Sequence, residues 1–210
     1  MVNSINRRKK LMLVSKLYRY CRMINREIVP VKGTVYYRDN TDKMCSFIIG
    51  DRQYHLFDGT SNVFEMMKNF LAIKGKKKRK GAYLSYDLTA EDFYKKMKFD
   101  HSKEQIFFGI SRGCPVGNGA LTRYTEEHKP KVLPKMVAVV PPPAGGKEYV
   151  EYCKNLGYEC LRIRVKGDLV DKAPPWGKHY ETKLETLKTN AKGYLKKHLS
   201  AGDNLGELEI

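Results

Sequence analysis

No apolar run in the 210-residue sequence approaches the roughly 18 residues of a membrane-spanning helix, so no transmembrane anchor is expected. The opening stretch, MVNSINRRKKLMLVSKLYRY, starts with the positive charge of a secretory leader, but its apolar segment Leu11–Val14 ends almost at once. A cytoplasmic or other intracellular location is therefore the expectation. Cysteine is sparse and odd in number: Cys21, Cys45, Cys114, Cys153 and Cys160 show no metal-type pairing and cannot all close into disulfides within one chain. Reduced thiols are expected, and no zinc cluster or other metal or organic cofactor. Internal repeats and low-complexity linkers are missing too, and a single domain over 1–210 is expected. Neither an aromatic-rich RNA-binding motif nor a helix-turn-helix pattern is present.

Acidic residues are in short supply. Asp and Glu number 23 against 40 Lys and Arg, which gives a net charge of +17 and attracts anionic partners at long range. The charge concentrates at Arg7-Arg8-Lys9-Lys10 and Lys76-Lys77-Lys78-Arg79-Lys80. Nucleic acid, an anionic membrane surface and a viral or organellar assembly all suit such clusters. So does the bland reading of a solvated, lysine-rich loop, because a charge run names a field and not a ligand. Hydrophobic residues at 41% and charged ones at 30% are the composition of a globular chain.

Periodicity orders what is there. Val14, Leu17, Tyr18, Cys21, Ile24 and Ile28 recur at helical spacing, and Pro30 closes that segment. Thr34–Tyr37 and Cys45–Ile49 read as strands, the second turning at Gly50-Asp51 into Gln53–Phe57. A short strand is expected at Ala82–Ser85, then a helix begun by the capping-box type sequence Thr89-Ala90-Glu91-Asp92. Strands at Glu104–Phe108, Lys135–Val140 and Glu159–Val165 alternate with helices at Pro115–Tyr124 and Glu148–Asn155. Leu184, Leu187, Ala191, Leu195 and Leu199 suggest one long amphipathic C-terminal helix. Strands alternating with helices indicate an α/β fold with a mainly parallel central sheet flanked by helices, and the early hairpin adds antiparallel strands at its N-terminal edge.

Such sheets react at the carboxyl ends of their strands. Gly109-Ile110-Ser111-Arg112-Gly113 lies there, between a strand and a helix, the context that a G-x-S-x-G nucleophile elbow demands. A serine hydroxyl needs a histidine base oriented by a carboxylate. Asp168 follows a late strand and His179 follows it, so Ser111, Asp168, His179 is the candidate triad, in the chain order of α/β-hydrolases. His198 is the second candidate for the base. The N–H of Arg112, next after the serine, and Thr60, in a turn after an earlier strand, are candidate oxyanion donors. The alternatives stay open at this level: an ordinary turn at Ser111, a turn residue at Asp168, a surface histidine at 179 and a plain Asp-Gly turn at 58–59.

Together these segments resemble class 3 lipases. Phe57-Asp58-Gly59-Thr60-Ser61 is similar to their F-R-G-T/S segment, Gly109–Gly113 to G-H-S-L-G, Val139–Gly146 to the strand end F-G-x-P-R-x-G, and Gly167-Asp168-Leu169-Val170 with Pro174-Pro175 to D-x-V…P-P. The resemblance covers about residues 33 to 180. It implies an α/β-hydrolase fold and hydrolysis of carboxylic esters, often of lipids, with Ser111, Asp168 and a histidine as the triad and Thr60 and Arg112 at the oxyanion hole. Asp58 stands where the family commonly has arginine, and Arg112 replaces the usual leucine. The short step from Asp168 to His179 is similar instead to small cutinase-type hydrolases. Residues 61–70, VFEMMKNF within them, occupy the place of the family's lid; an amphipathic helix packed on the sheet is the other reading. A non-catalytic hydrolase fold serving as a basic binding module is the competing function, favoured by the charge, Arg112 and Asp58.

Overall fold

The computed structural model describes residues 12–26, 28, 31–38, 42–59 and 79–210. Helix α1 (Val14–Asn25) precedes strands β1 (Val35–Arg38), β2 (Lys43–Ile49) and β3 (Arg52–Asp58). Then follow α2 (Leu84–Lys96), β4 (Glu104–Ile110), α3 (Gly113–His128), β5 (Lys135–Val139), α4 (Lys147–Leu156), β6 (Glu159–Val165), β7 (Lys183–Leu187) and α5 (Tyr194–Leu199). The seven strands form one sheet in chain order. β1–β2 and β2–β3 are antiparallel, and every pair from β3 to β7 is parallel. This is the expected α/β architecture with its antiparallel N-terminal edge. Among the described residues no helix is long and apolar enough to cross a membrane.

Both faces of the sheet are covered, which is why β4 is apolar at consecutive positions instead of alternating. Phe107, Met136, Ala138 and Cys160 point to one side, where they pack with Ala90 and Phe93 of α2, Val116 and Leu121 of α3 and Tyr149 and Cys153 of α4. Ile106, Phe108, Val137, Val139 and Ile163 point to the other, against Val14, Leu17, Cys21 and Ile24 of α1 and Ala201 and Leu205 near the C-terminus. The five cysteines are free and buried in these two layers.

Three sequence expectations need correction. Ala82–Ser85 is no strand: Ala82 makes an isolated bridge to Gly145, and the helix has begun at Leu84. Tyr83, Tyr86, Ala90 and Phe93 fall on one buried face at helical spacing, and that packing outweighs the strand-like local composition. Thr89 consequently lies inside α2, its hydroxyl donating to the Ser85 carbonyl at 3.1 Å. The long C-terminal helix is divided. Leu184 and Leu187 belong to β7, which pairs in parallel with β6 and satisfies that strand's outer edge, and only Tyr194–Leu199 are helical.

Candidate functional site

β4 delivers the elbow. It ends at Ile110, and α3 starts at Gly113, so the chain reverses within Ser111 and Arg112. Ser111 takes a left-handed backbone with φ 50°, which costs a residue with a side chain energy and persists only where the surroundings enforce it. Its N–H still donates to the Val139 carbonyl of β5 at 2.9 Å, so the sheet holds the turn from one side. Glycine on both flanks lets the parts close up. A Cβ at Gly109 would lie 2.6 Å from the Cα of Cys114, and one at Gly113 would strike the Phe57 carbonyl on β3.

Asp168 lies in the turn after β6. One carboxylate oxygen accepts the Val170 N–H at 2.9 Å, which leaves the other aimed at a single partner. That partner is His198 on α5: Nδ1 is 2.7 Å from Asp168 Oδ2, and Nε2 is 3.0 Å from Ser111 Oγ. An ionised carboxylate only accepts, so Nδ1 carries the proton; Nε2 then presents its lone pair, and the serine hydroxyl donates to it. The residues Ser111, Asp168 and His198 are 7%, 3% and 5% exposed, a desolvated array in which such bonds are stronger than in water. Ala201 and Leu205, buried beside α1, anchor the chain just beyond α5 and so fix the imidazole.

His179, the expected base, is elsewhere. Its Nε2 donates to the Asp171 carbonyl at 2.7 Å and lies 3.8 Å from the Asp171 carboxylate. Arg162 on β6 ties Asp171 and Glu181 together and holds the segment there. Burial, and then the Arg162 charge, push the His179 pKa below its ordinary value. The correction has a topological reason: after His179 the chain must lay down β7 beside β6 before it can return to the strand ends. The imidazole that meets Asp168 therefore lies 30 residues beyond it, at His198.

Thr60 and the lid-like segment 61–70 lie outside the described residues. Gly59 is described, and it touches the elbow: a Cβ there would sit 2.7 Å from the Ile110 carbonyl oxygen and 3.0 Å from the Arg112 nitrogen. The Arg112 side chain does not project into the site. Its Nε donates to both oxygens of Asp42, at 3.0 and 3.1 Å, Nη2 lies 3.5 Å from the Thr89 hydroxyl, and the guanidinium sits 5.2 Å from the Tyr86 ring centre. Asp42 is a residue that sequence reasoning passed over, because nothing but its buried partner distinguishes it. Asp58 is also buried, and burial pushes its carboxyl up to about 7, against the pull of Arg22, the Gly59 N–H and Lys43.

Of the basic clusters, Arg7–Lys10 and Lys76–Lys78 lie outside the described residues. Arg79 is engaged within the fold, paired with Glu126, donating to the Thr122 hydroxyl at 3.2 Å and lying over the Tyr152 ring. Among the described residues no cluster of His, Cys, Asp and Glu suits a metal ion.

No protein-family model matches the sequence, and no curated protein matches it. Solved structures do match. A lipase from Rhizopus microsporus var. chinensis superposes with a TM-score of 0.59 at 16% identity, over 78% of this chain and 64% of that one. A mutant form of MDLA from Penicillium cyclopium gives 0.60 at 19%, over 77% and 66%, and lipase II from Rhizopus niveus 0.58 at 15%, over 75% and 66%. This chain thus spans a little under two thirds of the length of each. The likeness establishes the fold: this chain shares the sheet and covering helices of these lipases.

Proposed function

We propose that this chain hydrolyses carboxylic esters, acyl esters of lipids foremost, through Ser111, His198 and Asp168. The observation that carries the reading is the unbroken hydrogen-bond line from Asp168 through the imidazole to the serine hydroxyl. The lipase fold supports the substrate class.

In this reading Ser111 Oγ attacks the ester carbonyl carbon while His198 Nε2 takes its proton. The carbonyl oxygen becomes an anion that faces the Arg112 N–H, with Thr60 as the second donor. Asp168 accepts the hydrogen bond from Nδ1–H throughout, which keeps the lone pair on Nε2 and stabilises the imidazolium. That imidazolium gives its proton to the departing alkoxide, leaving the acyl group on Ser111. Water then loses a proton to Nε2 and attacks the acyl carbon; the acid departs and Ser111 recovers its proton. Release of p-nitrophenol from a short-chain ester by the full chain, abolished in Ser111→Ala, is the test, and turnover surviving that substitution would refute the proposal.

A further inference from the structure

We infer that Asp42 is a positioning residue for the oxyanion site, acting through Arg112; the inference rests on the hydrolase reading above. The Arg112 N–H belongs to the peptide plane between Ser111 and Arg112, so its direction depends on a turn whose first residue is already strained at φ 50°. The carbonyl end of that plane is held by the first turn of α3, the Ser111 oxygen accepting the Cys114 N–H at 3.0 Å, while its N–H end depends on what the elbow's side chains do. Gly109 and Gly113 have no side chains, Ile110 is packed on the far face of the sheet, and the Ser111 hydroxyl is committed to His198. Arg112 is the one long side chain in the elbow, and it is anchored at several points.

The anchor is directional. Nε lies 3.0 and 3.1 Å from the two oxygens of Asp42, and the guanidinium plane is flanked by the Tyr86 ring and the Thr89 hydroxyl. Arg112 and Asp42 are only 5% and 1% exposed. A pair this deep is a poor stabiliser, because its desolvation cost rivals its attraction. What it provides is fixed geometry, since a planar guanidinium cannot swivel as an ammonium does.

The anchor's position gives the geometry a use. Asp42 immediately precedes β2, whose first residue, Lys43, pairs with Asp58 at the end of β3. The next residue, Gly59, packs against the Arg112 nitrogen. The ion pair therefore ties the elbow to the β2–β3 strand pair on which it rests. It fixes the direction of the one described donor, the Arg112 N–H, which must meet the developing charge to within a fraction of an ångström.

The test compares wild type, Asp42→Asn and Arg112→Lys in ester turnover, with thermal unfolding recorded for each. Arg112→Lys keeps the charge opposite Asp42 but loses the planar hold, so it reports even where Asp42→Asn fails to fold. In folded variants kcat falls about 10- to 100-fold while KM stays within about twofold, because the donor acts only in the transition state. Affinity for an alkyl boronic acid, whose tetrahedral adduct uses the same donor, falls by a similar factor. Wild-type kcat and boronate affinity in either folded variant would overturn the inference and leave the hydrolase reading standing. A wild-type chain with no turnover and no boronate binding would overturn both.

Discussion

Ser111 and His198 are 87 positions apart in the chain, yet Oγ and Nε2 meet at 3.0 Å. The contact needs the whole sheet, because the serine rides on β4 while the imidazole returns only after β7 has closed the far edge. The two histidines after Asp168 thus have separable roles.

His198→Ala lowers kcat by about three to six powers of ten, as expected when the base of a Ser-His-Asp array is lost. His179→Ala leaves kcat within about threefold and lowers the unfolding midpoint, because that imidazole serves the Arg162–Asp171 cluster. Steady-state kinetics and thermal melts of the two variants, run together, check both halves.

Asp168→Asn keeps the shape of the site but no longer favours the proton on Nδ1. A loss of about 10⁴-fold in kcat follows with little change in KM. A loss below about tenfold would mean that the carboxylate does not orient the ring.

Gly113→Ala drives a methyl group into the Phe57 carbonyl, where backbone on both sides must shift. A destabilisation of roughly 1–3 kcal/mol is expected, with lower yield of folded protein. Chemical denaturation measures it.

Stability depends on pH through two buried groups of opposite sense. Burial pushes the His55 imidazole down to about 4, against the opposing pull of its Gln105 hydrogen bond. Between pH 6.5 and 4 the unfolded chain binds the extra proton, so this histidine removes about 3 kcal/mol of stability as pH falls. Asp58, pushed up to about 7, works the other way: the folded chain holds the proton longer, and stability on the order of 4 kcal/mol is lost as pH rises from about 4 through 7. Asp58→Asn therefore gains stability relative to wild type between about pH 4 and 7 and levels off above that, and His55→Gln gains relative to wild type as pH falls below 6.5. Denaturant titrations at several pH values give both difference curves.

Much of the fold could be read along the chain because both faces of β4, β5 and β6 are buried, which makes their strands dense apolar runs. Glu159–Val165 has the same bounds in sequence and structure. The elbow was legible for a local reason, two glycines around a serine between strand and helix. Legibility stopped where the cause is long-range. Leu184 and Leu187 fit a helical period as well as a strand, and only the open edge of β6 makes them a strand. His179 and His198 are both lone histidines after an aspartate; which ring reaches Ser111 depends on the path of β7. Asp42 had no local signal at all, since its significance comes from a guanidinium 70 positions away.

The most direct measurement is covalent labelling of the full chain with a fluorophosphonate, the adduct mapped by mass spectrometry. The account predicts one adduct, on Ser111, formed readily by wild type and His179→Ala and about a thousandfold or more slower by His198→Ala. An unlabelled wild-type chain, or labelling that needs His179 and ignores His198, would contradict it.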